Sequence, residues 1–283
     1  MTSLAVLIAC FNRRETTLRC LESLSSQTGL DDVDLRIFVV DDRSTDGTSS
    51  AVRERFPKVT VIDGTGDLYW TGGMLIADTA ARQSRPDLLL WLNDDVDLNK
   101  NALRVLLDAA DATHHKAIVV GAVSGPFTDV STYGGYRRPD PRRPMEIVRV
   151  EPTGQVESLD TMNGNVVLVP AAVRESLGPL DGQFSHNMAD MDYGYRALKA
   201  GWKVVLASAF IGRCLPNLGK RTWQDPEVPI RTRWSAVTSF RALPPREWLV
   251  FTRRHCGWRW PRYFVSPYVR CLTCGVSSRT RRS

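Results

Sequence analysis

The sequence has no long hydrophobic run. A membrane-spanning helix needs roughly 18 consecutive apolar residues, and uncharged stretches such as residues 161–173 are shorter. No segment is therefore expected to cross a membrane. The apolar run at residues 4–9 has the length of a buried strand. Arg13 and Arg14 follow it, whereas positive charge precedes the apolar region of a secretory signal. These features predict a cytoplasmic protein.

Several motifs of well-known protein classes are also absent. Six scattered cysteines give no disulfide framework. Tyr69 stands where the third glycine of a dinucleotide-binding fingerprint would follow Gly64 and Gly66, and no P-loop or nucleophile-elbow pattern occurs. Residues 42–47 begin like a calcium-binding loop, but Arg53 replaces its closing glutamate. These absences exclude the commonest phosphate-binding, calcium-binding and hydrolase motifs.

The positive charge is confined to one end of the chain. The 283 residues carry a formal net charge of +6. Residues 220–283 hold 14 Lys and Arg against 3 Asp and Glu, a net charge of +11, so the preceding part is acidic, at −5. The basicity is therefore local to the C-terminal part of the chain.

Strand and helix patterns alternate through most of the chain. Apolar runs of strand length predict strands at residues 4–9, 35–40, 59–62, 88–92, 117–123, 165–169 and 204–207. Amphipathic patterns between them predict helices, and Asn12 with Glu15 predicts a capping box at the first. Residues 126–160 are rich in Pro, Arg and Gly and predict loops or an irregular hairpin. We expect an α/β fold with a mostly parallel sheet flanked by helices.

Polar side chains follow the carboxyl ends of the predicted strands, and an open parallel sheet binds its ligands beyond those ends. They are Asn12, Asp41 and Asp42, Asp67 with Gly72 and Gly73, and residues 93–97. This edge is acidic, so a phosphorylated ligand would need a divalent cation there. Mg²⁺ or Mn²⁺ fits best, because each takes oxygen ligands from one or two carboxylates and from phosphates and water.

Four motifs in sequence carry a family resemblance. They are VLIACFNR at residues 6–13, VVDDRSTDGT at 39–48, LWLNDDV at 90–96 and ADMDY at 189–193. Together they resemble the family 2 inverting glycosyltransferases of the GT-A fold, with a rhamnosyltransferase-like pattern. The resemblance covers roughly residues 1–210.

The resemblance implies a role for each matching position. It places nucleotide contacts at Ala9, Phe11, Asn12, Arg13, Asp41, Asp42, Asn93 and Asp94, with Asp41 reading the base. Asp95 is implied as the metal ligand, in a D-x-D motif whose first acid is replaced by Asn93. Asp190 is implied as the catalytic base, although Ala189 stands where a glutamate often precedes it.

Further site candidates come from position along the chain. Trp70, with Gly72 and Gly73, either brackets the nucleotide or packs against the sheet. Acceptor contacts are expected from Gly164, Asn165, Asp192 and His186. The competing interpretations are that Gly164 and Asn165 only form a turn, that Asp192 is a helix-terminal acid and that His186 is a solvated loop histidine.

The expected reaction is metal-dependent, inverting sugar transfer from a UDP- or dTDP-sugar to a hydroxyl of a glycan or lipid-linked glycan. We expect a role in surface polysaccharide biosynthesis. One alternative is a sugar-1-phosphate nucleotidyltransferase, which should have a Gly-rich, basic loop after the first strand where this chain has Cys10, Phe11 and Asn12. Another is a non-catalytic nucleotide-sugar-binding or membrane-surface protein, against which Asp95 and Asp190 both argue.

We expect a catalytic domain over residues 1–220 and a basic, aromatic, mainly helical extension over residues 221–283. In the extension, arginines alternate with tryptophans and tyrosines. This composition suits peripheral contact with the inner membrane face, where aromatic rings lie at headgroup depth, or a helical subdomain with solvated arginines. No nucleic-acid module accompanies it, so no nucleic acid is expected.

Overall fold

The computed structural model describes residues 1–216 and 222–273. The strands in this part are β1 (Thr2–Cys10), β2 (Val33–Asp41), β3 (Thr60–Asp63), β4 (Leu88–Leu92), β5 (Asp97–Leu98), β6 (Ala117–Ser124), β7 (Ser131–Tyr133), β8 (Gly135–Arg137), β9 (Val148–Arg149), β10 (Glu157–Leu159), β11 (Thr161–Met162), β12 (Val166–Pro170) and β13 (Lys203–Arg213). The helices are α1 (Arg14–Ser25), α2 (Thr48–Arg55), α3 (Tyr69–Ala81), α4 (Ala102–Ala112), α5 (Ala171–Leu177), α6 (Ala189–Lys199), α7 (Ile230–Thr238), α8 (Pro245–His255) and α9 (Trp260–Thr273).

One large mixed sheet organises the first part of the chain. Its strands lie in the order β10-β13-β6-β12-β4-β1-β2-β3, with β5 beside β13 and β7 beside β6. The pairs β1–β2, β1–β4, β2–β3 and β6–β13 are parallel, as the alternation of strands and helices predicts. The α/β fold class is thereby confirmed.

The strand β12 differs from the predicted parallel direction. It lies between β4 and β6 and is antiparallel to both. Parallel neighbours need a crossover connection, usually a helix. β12 instead follows the segment predicted to be irregular, residues 126–160, which supplies β7 and β10 to the large sheet and β8 and β9 to a second sheet of order β11-β8-β9. The direction of β12 therefore could not be inferred from the alternation of strands and helices.

Helices cover both faces of the sheet. Val6 and Ile8 on one face of β1 belong to a core cluster with the apolar residues of α1 and α4. On the opposite face α3 approaches β1 so closely that a Cβ at Gly73 would lie 2.7 Å from the Cβ of Ala9. Real Cβ atoms do not tolerate that distance, so glycine at residue 73 sets the position of α3.

The chain forms two compact units, which are described separately. The first comprises residues 1–139, 147–185 and 189–216, and holds the sheets. The second comprises residues 140–146, 186–188 and 217–283. The domain boundary predicted at residue 220 lies outside the described residues. In the described part of the second unit α7 and α8 both pack on α9. None of the described helices is long and apolar enough to cross a membrane.

Candidate active site

The carboxyl ends of β1, β2 and β4 meet at one edge of the sheet. These strands are neighbours and run parallel, so the residues that follow them must lie near one another. The adjoining loops are indeed cross-linked. Asn12, in a left-handed conformation (φ 52°), donates its backbone N–H to Ser44 Oγ (2.8 Å) and accepts the Thr45 N–H at Oδ1 (2.7 Å).

This arrangement corrects the predicted capping box. Helix α1 begins after Arg13, whose side chain makes no capping hydrogen bond, and Asp46 Oδ2 accepts the Arg14 N–H (2.9 Å). The oxygen of Asn12 that was expected to cap α1 is instead taken by the β2 loop. Phe11, beside it, is exposed at the end of β1. Asn12 therefore fixes the shape of the edge where the resemblance places nucleotide contacts.

The two aspartates after β2 are buried and hold loops in place. Asp41 accepts hydrogen bonds from the Ser44 N–H (2.9 Å) and the Ser49 hydroxyl (2.7 Å). Asp42 accepts the backbone N–H groups of Gly66 (2.7 Å) and Leu68 (2.9 Å). Asp42 thus orders the loop that leads into α3. Gly72 and Gly73, at the start of α3, fit close to Leu68 and Ala9 respectively.

An arginine bridges the two acids after β4. Arg13 Nη1 lies 2.8 Å from Asp94 Oδ1 and 3.0 Å from Asp95 Oδ2. Asp94 is buried, and burial raises its pKa to about 6, with Arg13 acting in the opposite direction. The Asp95 side chain is 26% exposed. Of the two, Asp95 is the carboxylate that a ligand from solvent can reach.

The oxygen atoms at this edge of the sheet suit a cation that the phosphates of a substrate also bind. Among the described residues no three His, Cys, Asp or Glu side chains converge as a metal cage. Mg²⁺ and Mn²⁺ sites at phosphates need fewer protein ligands, because one or two carboxylates suffice when phosphate and water supply the rest. Asp95, whose side chain is partly exposed, meets that requirement.

A row of contacts connects the loop after β4 with helix α6. The indole N–H of Trp70 donates to Asn93 Oδ1 (2.8 Å). The Trp70 ring lies against Gly164, where a Cβ would come within 2.6 Å of two ring carbons. The Gly164 N–H in turn donates to Asp190 Oδ2 (2.7 Å). Asn93, Trp70, Gly164 and Asp190 therefore form one continuous group.

Asp190 lies in the first turn of α6 and is partly buried. Its second oxygen, Oδ1, accepts the Met191 N–H at 2.8 Å. Burial raises the pKa of this carboxyl above its usual range, while the hydrogen bonds from Gly164 and Met191 act in the opposite direction. A carboxylate with a raised pKa and a fixed orientation is suited to accept a proton.

The other residues that were predicted to contact the acceptor have different surroundings. Asn165 is buried, and its carbonyl accepts the Asn93 N–H (2.8 Å). Asp192 has no exposed surface and pairs with Arg196 Nε (2.8 Å), so it stabilises α6 and offers nothing to an acceptor. His186 belongs to the second unit, where its ring packs edge-on against Phe240 at 5.8 Å.

Sequence reasoning missed Cys214. This buried thiol directly follows β13, and its Sγ lies 3.5 Å from Asp95 Oδ1 and 4.0 Å from Asn165 Nδ2. Burial and the charge of Asp95 raise its pKa, so it is a neutral donor to Asp95. Its position at a strand end was the available signal, and a search for disulfide patterns does not detect it.

We expect Gly164→Ala to disrupt this group. The added Cβ would meet the Trp70 ring at 2.6 Å and Asp190 Cβ at 3.3 Å, and overpacking of this kind costs about 1–3 kcal/mol. Thermal unfolding and a transfer assay should both show the loss. Gly182→Ala is the matched control, because its Cβ would make an ordinary contact of 3.5 Å with Leu75. Equal behaviour of the two variants would contradict the packing argument.

Solved structures with the same fold are glycosyltransferases of the GT-A type. A mannosyltransferase from Pyrobaculum calidifontis, in complex with GDP-Man and Mn²⁺, aligns with a TM-score of 0.59 at 17% identity over 98% of this chain and 75% of that one. S. aureus TarS 1–349, in complex with UDP, aligns with a TM-score of 0.55 at 15% identity over 92% of this chain and 73% of that one. The fold is GT-A.

The sequence comparisons define the family. The model of glycosyl transferase family 2 matches residues 5–162, more than half of the chain. The chain belongs to this family and is a glycosyltransferase. It is also 25% identical, over 85% of its length and 81% of the relative's, to the Mycobacterium tuberculosis N-acetylglucosaminyl-diphospho-decaprenol L-rhamnosyltransferase. Family membership decides against the nucleotidyltransferase and the non-catalytic alternatives.

Proposed function

We propose that this enzyme transfers a sugar, with inversion, from a nucleotide-sugar to a hydroxyl of a lipid-linked glycan, with a divalent cation bound at Asp95. The observation that carries the proposal is the continuous contact from Asp190 through Gly164 and Trp70 to Asn93, beside Asp94 and Asp95. This contact joins the candidate base, Asp190, to the candidate diphosphate site at residues 93–95, and both lie in the first unit.

The donor and the acceptor are proposed on different grounds. The edge formed by the β1 and β2 loops supports a nucleotide site, with Asp41 as the group that reads the base. Of the related structures, one holds GDP-Man and another UDP. We take a UDP- or dTDP-sugar as the donor. The printed name of the M. tuberculosis relative indicates a diphospho-lipid acceptor, which supports a lipid-linked acceptor here and a role in surface polysaccharide synthesis on the cytoplasmic membrane face.

In the proposed reaction Asp190 accepts the proton of the acceptor hydroxyl. The freed oxygen forms a bond to the anomeric carbon on the side opposite the diphosphate. The bond from that carbon to the diphosphate oxygen breaks, and its electron pair leaves with the nucleoside diphosphate. The Gly164 and Met191 amides keep the carboxylate oriented. General-base assistance of this kind contributes about 10²- to 10⁴-fold in rate.

Asp95 would hold the cation together with the donor's diphosphate, and Asn93 is an uncharged neighbour. When bound, Mn²⁺ or Mg²⁺ supplies Lewis-acid stabilisation of the departing charge. Arg13, which now bridges Asp94 and Asp95, is a positive group in direct contact with both carboxylates. It is placed to balance their charge and to contact a phosphate.

Thermal-shift measurements test the donor assignment. The protein would be screened with UDP, dTDP, GDP and the corresponding nucleotide-sugars, each with and without Mn²⁺. A ligand present at 100 times its Kd stabilises the folded state by about 2.7 kcal/mol. We expect one base to be preferred and Mn²⁺ to increase its effect. No stabilisation by any nucleotide would refute the proposed donor class.

The turnover number should depend on pH through Asp190. The base must be deprotonated, and burial raises its pKa, so activity should fall as the pH is lowered through a value above the ordinary aspartate range near 4. A pH profile of kcat at saturating donor measures this. The acid limb should be missing from the residual activity of Asp190→Asn. An acid limb at or below pH 4 would contradict the assignment.

We also propose that the second unit contacts an anionic membrane surface. Val265, Val269 and Leu272, spaced four and three residues apart on α9, are nearly half exposed, and Trp258 is 83% exposed. The chain from residue 220 carries a net charge of +11. An apolar helix face within a basic segment is typical of peripheral membrane proteins.

Vesicle flotation tests this contact. We expect replacement of Val265, Val269 and Leu272 by serine to lower the partition into anionic vesicles about tenfold or more, because their apolar surface would no longer be buried. Val130→Ser in the first unit, where the side chain is 62% exposed, is the control. Undiminished flotation of the triple variant would contradict the proposed contact.

A further inference from the structure

The second unit contains a cavity that the proposed reaction does not use. Its volume is about 760 Å³, within the range of small-molecule sites. All of the residues that line it belong to this unit. They come from α8, α9, the short turns before α7 and α9, and residues 143–146.

Four arginines converge on the cavity: Arg143, Arg259, Arg262 and Arg270. Of these, Arg143 is neutralised, because its guanidinium lies 2.9 Å from Glu146. Arg259 donates to the Arg142 carbonyl (3.0 Å), which carries no formal charge. In the described part of the chain neither Arg262 nor Arg270 has a carboxylate partner. The cavity therefore holds an excess of positive charge.

Glu146, which pairs with Arg143, and Ser266 also line the cavity, and the rest of its surface is apolar and aromatic. Trp223, Trp248 and Met145 line it beside Tyr263. The indole N–H of Trp248 is already donated to the Phe264 carbonyl (3.2 Å), so this ring offers its apolar surface. Arg262, Ser266 and Arg270 are spaced four residues apart and share one face of α9. An adjoining face of the same helix carries the exposed Val265 and Val269.

We propose that this cavity binds a phosphate or diphosphate ester of an apolar alcohol. Arg262 and Arg270 would bind the phosphate oxygens, because the guanidinium fork matches phosphate geometry. The tryptophans and Met145 would contact the first part of the apolar chain. The proposal rests on the proposed function only in assigning the ligand to the lipid-linked acceptor, and the site is distinct from the donor edge of the sheet.

Binding to the full-length protein tests the proposal without any transfer assay. Calorimetry would compare farnesyl diphosphate, farnesol and inorganic diphosphate, with EDTA present and Asp95→Ala as a second background, so that the donor edge cannot bind the probe through a metal. We expect farnesyl diphosphate to bind at least about tenfold more tightly than either fragment. Arg262→Gln with Arg270→Gln should weaken it at least about tenfold, since charge-assisted contacts are lost.

Arg231→Gln with Arg246→Gln is the matched control, because it also removes two positive charges. Arg231 on α7 and Arg246 on α8 are exposed arginines of the same unit, and neither lines the cavity. An equal loss of binding in this variant would overturn the proposal, because the effect would then be one of total charge. Equal affinity for inorganic diphosphate and farnesyl diphosphate, or no binding of farnesyl diphosphate, would also overturn it. These outcomes are independent of whether Asp190 acts as the base.

Discussion

Asp190→Asn is expected to lower the turnover number about 10²- to 10⁴-fold, the usual contribution of a general base, while the donor still binds. The asparagine keeps the volume of the side chain but cannot accept a proton from the acceptor. It also offers one oxygen where Gly164 and Met191 now donate to two. One backbone N–H group therefore loses its partner, at a cost of about 1–3 kcal/mol.

Kinetics and stability must be measured together for this reason. Single-turnover rates at saturating donor report the chemical step, and thermal unfolding reports the lost hydrogen bond. Asp108→Asn, at an exposed position on α4, is the matched control and should transfer at the normal rate. An Asp190→Asn enzyme that retains turnover would remove this residue as the base.

Asp95→Ala is expected to abolish the Mn²⁺-dependent part of nucleotide binding. The wild-type protein at 100 times the Kd gains about 2.7 kcal/mol from ligand, and the variant should lose the share that Mn²⁺ adds. Asp95 is the more exposed carboxylate of the pair that Arg13 bridges. Without it, the preceding residues of the same loop offer the cation the buried Asp94 and the uncharged Asn93.

The control for this variant lies two residues away. Asp97 is an exposed aspartate in β5, so Asp97→Ala removes the same charge from the same region without removing the proposed ligand. Its Mn²⁺ response should equal that of the wild-type protein. If Asp95→Ala responds to Mn²⁺ as strongly as Asp97→Ala does, the cation binds elsewhere.

The sequence was sufficient to predict which polar residues meet at the edge of the sheet where we propose the site. Apolar strands followed by polar residues predicted that Asn12, Asp41 and residues 93–95 would meet, because the ends of parallel strands are adjacent. The parallel pairing of β1 with β2 and β4 confirms the underlying topology. Helical periodicity could also have separated Asp190 from Asp192. Two residues along a helix differ by roughly 200° in direction, so both could not face one ligand, and Asp192 is buried.

Other features depend on contacts between distant parts of the chain. The bridge from Arg13 to Asp94 and Asp95 joins residues about 80 positions apart, and no local pattern encodes it. The same holds for Trp70 with Asn93 and Gly164, where side-chain direction decides the contact. The antiparallel β12 has a related cause, since its direction depends on the path of an irregular segment.

The most direct test is a crystal structure of the full chain with Mn²⁺ and an intact nucleotide-sugar. We expect Mn²⁺ to be held by Asp95 together with the diphosphate. We also expect the Asp190 carboxylate beside the face of the anomeric carbon that is turned away from the leaving group. A nucleotide bound at another edge of the sheet, or a sugar that Asp190 cannot reach, would contradict the proposed site.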